Sequence, residues 1–313
     1  MLVYPDYYTE FRCSASACKH NCCIGWEIDI DAETMKKYGA VEGELGRRLR
    51  SGIECGEEAH FILGKDGRCP FLNGDNLCEL ILHGGEDMLC EICTVHPRFR
   101  TFLSDRTELG LGLCCETAAR LILERRSAVR LIAEGAADGT PDSGEAELLA
   151  LRDRVIAVLQ NRELPLHSRA EQVLTMCAAI EPDGPIGEWI PEFLALERLD
   201  GRWTEMLEQL RQNAGRIDYA AFNEAMKGRE HEYEQLLVYF IYRHFMTALY
   251  DGDVGGKAAF ALLGTRLIYE LGAMRFTETG VFGLSDQIET VRMYSSEVEY
   301  SQENLDTMFD LLA

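Results

Sequence analysis

Twelve cysteines occur in this 313-residue chain, and eleven of them lie at or before Cys115, with only Cys177 beyond. Nothing else in the sequence restricts the fold as much. They run as Cys13, Cys18-x3-Cys22-Cys23, Cys55, Cys69, Cys78, Cys90-x2-Cys93 and Cys114-Cys115. In a short secreted chain this would be a disulfide framework. Here the start, MLVYPDYYTEF, has neither the basic end nor the apolar run of a secretory leader, so a cytoplasmic location is expected. In a reducing compartment clustered thiols are more often metal ligands or redox groups. Short x2 and x3 spacings let one loop bring two soft thiolates to one metal.

Metal identity stays open at this point. A structural zinc site takes four ligands, and a cubane iron–sulfur cluster takes four thiolates. The cysteines exceed one zinc site and fit a cubane cluster (4Fe-4S) with spare thiols, or two metals. Adjacent pairs such as Cys22 and Cys23 do not readily bind one ion through both sulfurs. The radical-type spacing CxxxCxxC is absent, because its third position falls on Gly25. Cys55 and Cys177 stand alone and read as apolar packing.

Beyond Cys115 the pattern changes. Turn-rich stretches such as GKDGRCPFLNGDN give way to helical periodicity. ETAARLILERRSAVRLIAEG reads as one helix stopping at Gly135, and further helices are expected near 145–160, 167–181, 188–199, 201–214 and 218–227. The segments 229–250 and 257–274 are apolar nearly all round, as in the middle of a bundle, and a last helix is expected near 298–312. The expected fold is mainly α. A cysteine-rich metal or iron–sulfur domain with short irregular elements spans 1–116, and an α-helical bundle spans 117–313.

The net charge of −22 argues against nucleic acid, which needs a positive footprint. The most apolar stretch, Leu236 to Leu249, is broken by Arg243 and His244 and is too short to span a bilayer, so no membrane partner is expected. An acidic surface favours approach of a basic group such as a lysine, or simply keeps the chain in solution.

YPDYYTEFRCSASACKHNCCIGWEIDIDAETMKKY resembles the start of the flagellin lysine-N-methylases of the FliB type. CPFLNGDNLCELILHGGEDMLCEICTVHPRFR is similar to their second cysteine block, and MYSSEVEYSQENLDTMF to their closing helix. The first third also resembles the YkgJ-like zinc- or iron-chelating domains. That frame carries over onto Cys18, Cys22, Cys23, Cys69, Cys78, Cys90 or Cys93, and Cys114 or Cys115, and the metal set it implies is Cys18, Cys22, Cys23, Cys69, Cys78, Cys90, Cys93 and Cys114. The resemblance implies methyl transfer from S-adenosylmethionine to lysine side chains of flagellin. Ser296 and Tyr300 stand where the closing motif is expected to carry arginine and histidine, and His96 where an aromatic is expected.

Such a transfer needs a neutral amine, although free lysine has a pKa of about 10.4. It also needs aromatic walls for the sulfonium. Tyr239, Arg243 and Glu297 are the catalytic candidates, with Glu299, His244 and Asn304 close by in sequence. Tyr7 and Trp26 are the candidates for the methyl-donor site. Each has a plainer reading. The aromatic start can be a hydrophobic plug, Tyr239 and Arg243 can pair one turn apart, and Asp29 and Asp31 in WEIDID can lie on a short strand or a solvated edge. The rival functions are a non-catalytic zinc- or iron-binding protein, and a structural zinc module joined to a helical interaction domain.

Overall fold

The computed structural model describes residues 1–313 except 26, 57, 66, 138 and 183. Helices dominate. The chain divides into two compact units, Met1–Phe11 with Arg100–Ala313, and Arg12–Phe99. The boundary thus differs from the one expected at 116. The first eleven residues and the stretch 100–116 pack with the helices, because they supply strands to the helical unit's sheet.

The Arg12–Phe99 unit is built from short pieces: helices Ala32–Gly39, Gly43–Ser51, Glu79–Gly84 and Glu91–Val95, and a hairpin of Ile53–Cys55 with Ala59–Phe61. Elements this short bury little surface each. Their stability comes from one shared core of Ile28, Ile30, Tyr38, Leu49, Phe61, Phe71 and Leu80 together with Cys69 and Cys90. Among the described residues 27–31 no strand forms; the isolated bridge Asp29–His60 pairs there. Asp31 instead caps the Ala32–Gly39 helix, accepting from Thr34 N–H at 2.8 Å and from Glu91 N–H at 2.9 Å. Those two backbone bonds hold its carboxyl down at about 2. A depressed carboxylate contributes stability above its unfolded pKa and loses it as pH falls through the folded value. Asp31→Ala is therefore expected to cost about 1 kcal/mol at neutral pH. The gap from wild type should narrow below the ordinary value of 3.8, vanishing near 2, in urea titrations run across pH.

In the larger unit a four-stranded sheet has the order Arg98–Phe102, Thr107–Leu111, Leu2–Pro5, Leu131–Glu134. Leu2–Pro5 runs parallel to Thr107–Leu111 and antiparallel to Leu131–Glu134, with Val3 opposite Ala133. The single helix expected to reach Gly135 is thereby corrected. It stops at Leu123, and Leu131–Glu134 is a strand, because Leu2–Pro5 offers it a backbone ladder that the local sequence does not reveal.

Several helices of the larger unit start where the sequence supplies a side-chain cap. Asp142, Asp200, Asp218, Asp253 and Ser301 each accept a backbone N–H from the first turn that follows. The 26-residue helix Val254–Thr279 ends at Gly280, whose φ of 74° is a left-handed cap. It packs on His231–His244, which is buried along nearly its whole length, and on Leu284–Tyr294 and Gln302–Leu312. Leu284–Tyr294 was not foreseen as a helix. No described helix is long and apolar enough to cross a membrane.

Candidate active site and thiol cluster

Helix His231–His244 carries Tyr239, Arg243 and His244 within one turn and a half. Helix Leu284–Tyr294 runs on into a π-helical turn, Ser295–Glu299. Such turns widen the helix by one residue and re-aim side chains, often at functional sites. Here the turn delivers Glu299, fully buried, onto the other three. The Tyr239 hydroxyl lies 3.1 Å from each Glu299 carboxylate oxygen and donates to that group. It accepts from Arg243 Nη1 at 2.7 Å and from the Leu113 backbone N–H at 3.3 Å. A phenol has one proton and two lone pairs, so this hydroxyl is saturated. His244 Nε2 lies 2.7 Å from Glu299 Oε1, and Arg243 Nε 3.5 Å from the same oxygen.

The charges in this cluster are fixed by its surroundings. Burial alone would raise the Glu299 carboxyl, but the Arg243 charge and the His244 bond outweigh it and hold it below the ordinary value. Burial drives Tyr239 far up, so it stays a neutral phenol, and drives His244 down, so the imidazole is neutral at physiological pH. The arrangement is a carboxylate behind a neutral phenol, with a guanidinium alongside. Tyr300, 36 % exposed, lies under Arg243, whose Cζ is 4.9 Å from the ring centroid. Its hydroxyl donates to the Cys114 sulfur, and desolvation pushes that thiol up to about 12. A Cβ at Gly112 would collide with the Tyr300 hydroxyl, so glycine there allows the contact. The position where the closing motif departs from expectation is therefore part of this cluster.

Of the sequence candidates, Tyr239 and Arg243 come together here and Glu297 does not. Glu297 accepts the backbone N–H groups of Leu199 and Asp200 at 3.0 and 2.8 Å, just ahead of helix Gly201–Asn213. Glu299 takes the place proposed for it. The two acids differ by two residues, and the π-turn decides which of them faces the Tyr239 helix. Asn304 bonds the carbonyls of Glu197 and Glu297 at 2.9 and 2.7 Å, a structural duty. Glu297→Ala is expected to cost about 1–3 kcal/mol by leaving two N–H groups without acceptors. Thermal melts would register the loss, while turnover of the folded variant stays within about threefold of wild type.

Tyr7 is 3 % exposed and walls a closed cavity of about 10 Å³ with Gln235, Tyr239 and Tyr242. That space matches about one water, not a nucleoside, so Tyr7 is a core residue here rather than a wall of the donor site. Trp26 lies outside the described residues. A wider groove of about 810 Å³ runs along Glu147, Leu151, Arg154, Leu249 and Val254. It is large enough for a small ligand. None of the network residues lines it.

In the Arg12–Phe99 unit the thiols gather. None of the twelve cysteines is in a disulfide. Cys69 and Cys90 belong to the core, and Cys23, Cys78 and Cys93 pack against it. The Cys23 thiol bonds Cys22, which raises Cys23 and lowers Cys22 to about 7. Cys90 and Cys93 form a second such pair, with Cys90 lowered and Cys93 raised. Burial, then repulsion from Cys78, Cys90 and Cys22, pushes Cys69 up to about 11. Six thiols thus feel one another. Soft donors held where their charges repel fit a thiophilic cation in kind and number. As placed, no three Cys, His, Asp or Glu side chains among the described residues converge on one ion position. The Cys18 thiol donates to the His20 carbonyl at 3.2 Å. Cys114 belongs to the other unit. Cys177 is buried as expected, whereas Cys55, expected to pack, is exposed on the short Ile53–Cys55 strand. Desolvation holds His96 at about 4, and therefore neutral.

A thiol-rich unit joined to a helical unit organised around a buried carboxylate–phenol–guanidinium network defines a two-part, enzyme-like protein. Residues 192–313, which hold Tyr239, Arg243, His244, Glu299 and Tyr300, match the FliB lysine N-methylase C-terminal domain. Through that domain the chain is similar to the FliB-type proteins. It is 30 % identical over 141 residues to a lysine-N-methylase of Salmonella typhimurium, covering 41 % of this chain and 33 % of the relative. It is equally similar to a lysine-N-methylase of Salmonella choleraesuis. It is 29 % identical over 140 residues to the flagellar biosynthetic protein FliU of Salmonella muenchen, covering 41 % of this chain and 79 % of that protein. The match thus spans about a third of the length of the two methylases. No solved structure matches the chain.

Proposed function

We propose that the protein is a protein-lysine N-methyltransferase that moves methyl groups from S-adenosylmethionine to lysine side chains of flagellin in the cytoplasm. Its thiol unit would hold an iron–sulfur cluster or zinc. The observation that carries the reading is the Tyr239–Glu299 pair, buried inside the part of the chain that matches a lysine N-methylase domain. The names of the similar proteins support lysine methylation and a flagellar substrate.

The methyl donor, when bound, supplies an electrophilic methyl group. The chain must supply an amine without its third proton. The Leu113 N–H bond to Tyr239 is the longest of the three at that oxygen, so an incoming ammonium displaces it at least cost. The ammonium N–H then faces the phenol oxygen. Its proton passes to Tyr239 as the phenol proton passes to Glu299, leaving a neutral amine. Arg243 favours the same outcome, since a second cation beside it destabilises the ammonium. Aromatic rings attract a sulfonium, and Tyr300 is the partly exposed ring of this cluster. Cys22, Cys23, Cys69, Cys78, Cys90 and Cys93 would supply the metal ligands, bracing the unit or orienting the donor.

Anaerobically purified protein incubated with flagellin and methyl-labelled S-adenosylmethionine is expected to label flagellin lysines. Absence of label with metal-loaded protein defeats the reading. Metal analysis of the same protein should find iron with sulfide, or zinc. Paired substitutions Cys69→Ser and Cys90→Ser should strip most of that metal, and a band near 400 nm would identify iron–sulfur.

A further inference from the structure

Lys257 is a buried cation that the proposed reaction leaves unused. It lies in the first turns of helix Val254–Thr279 and is 1 % exposed. Its ammonium donates to Asp251 Oδ2 at 2.6 Å and stands 3.8 Å from the centroid of the Phe309 ring. Phe309 meets the His244 ring edge-on at 6.1 Å, and Phe260 packs on both, 5.0 Å from Phe309 and 5.2 Å from His244. The imidazole is thereby bracketed by two phenyl rings while its Nε2 reaches Glu299 at 2.7 Å.

Burying an ammonium costs several kcal/mol unless partners offset it, and a methionine of similar length would fill the same space without that cost. Asp251 is half exposed and needs no buried partner of its own. The retained charge therefore points to a task beyond packing. The charged groups facing His244 are Glu299 from the π-turn, Arg243 from its own helix and Lys257 from helix Val254–Thr279. Two cations and one carboxylate act on the ring. Without Lys257 the carboxylate weighs more. His244 could then take a proton and form an ion pair with Glu299, drawing that carboxylate away from Tyr239.

We propose that Lys257 is a positioning residue. Seated on Phe309 and tied to Asp251, its ammonium holds the His244 ring against Glu299 and excludes a further positive charge there, so that Glu299 remains available to Tyr239. This rests on the methyltransferase reading for its consequence, but not for its test.

The test follows His244 by its imidazole NMR signals in the full chain, comparing wild type, Lys257→Met and Lys257→Arg. In K257M the His244 titration is expected to rise by about one pH unit, since one of the two cations acting on the ring is removed. In K257R it should return toward wild type. Methyl transfer by K257M should fall about tenfold at pH 6 and recover at pH 8. An unmoved titration in folded K257M overturns the proposal. If K257M does not fold, Asp251→Asn, which frees the ammonium to leave Phe309, must shift the titration or the proposal fails. A shifted titration in a protein without methyl transfer would retain Lys257's role and reject the proposed function. Transfer with an unmoved titration does the reverse.

Discussion

Tyr239→Phe is expected to lower methyl transfer by at least about 100-fold, the usual effect of removing one positioned polar group from a reacting centre. The ring stays and the hydroxyl goes, so the surrounding aromatic packing, including Phe240 at 5.3 Å, is kept. What is lost is the one atom that links the Leu113 N–H, the Arg243 guanidinium and the Glu299 carboxylate. A folding cost of about 1–3 kcal/mol should accompany it, because three buried partners lose a bond. The fall should lie in kcat more than in KM, since the hydroxyl serves proton removal rather than lysine docking. Glu299→Gln should lose activity at least as far and cost more stability, because Arg243 is then left buried without its carboxylate. Labelled-methyl kinetics on both variants, with circular dichroism to confirm folding, decide the matter. Y239F turnover within threefold of wild type would remove the network from the chemistry.

The largest effect on stability is expected at Glu108 and Arg152. Each is 1 % exposed, and the two guanidinium nitrogens grip the two carboxylate oxygens, one contact being 2.6 Å. Glu108 comes from strand Thr107–Leu111 and Arg152 from helix Ser143–Leu159, and the Arg152 Cζ stands 5.3 Å from the centroid of Tyr242. Glu108→Gln or Arg152→Met alone should cost about 3–5 kcal/mol by stranding a buried charge. The double change Glu108→Leu with Arg152→Met should recover most of that, because a well-packed apolar pair carries no desolvation cost. Urea unfolding of the two single variants and the double variant measures the coupling directly. Equal losses in the double variant and the sum of the singles would mean the pair is not coupled.

The candidate site was partly legible in the sequence. Arg243 and His244 break an otherwise apolar helix, and a polar group in such a place must reach solvent or be satisfied inside. That signal pointed to the helix that carries the buried network. The choice between Glu297 and Glu299 was not legible. In a regular helix two residues apart point to nearly opposite sides, and periodicity cannot reveal that a π-turn has shifted the register by one residue. Leu113 and Gly112 enter through the backbone, which a sequence pattern does not show. Lys257 reads as an ordinary helix residue until Phe309, far along the chain, is brought over its ammonium.

The amino-acid order alone determined the separation of a cysteine-rich stretch from helical sequence and the existence of most long helices. Both are recorded locally, in spacing and in the 3.6-residue period of apolar side chains. Tertiary structure decided that residues 1–11 join the helical unit, that Leu131–Glu134 is a strand rather than helix, and that Glu299 faces Tyr239. Each of these depends on partners more than fifty residues away. Strand pairing and buried polar contacts gain their free energy only when both partners are in place, and neither partner carries a mark of the other.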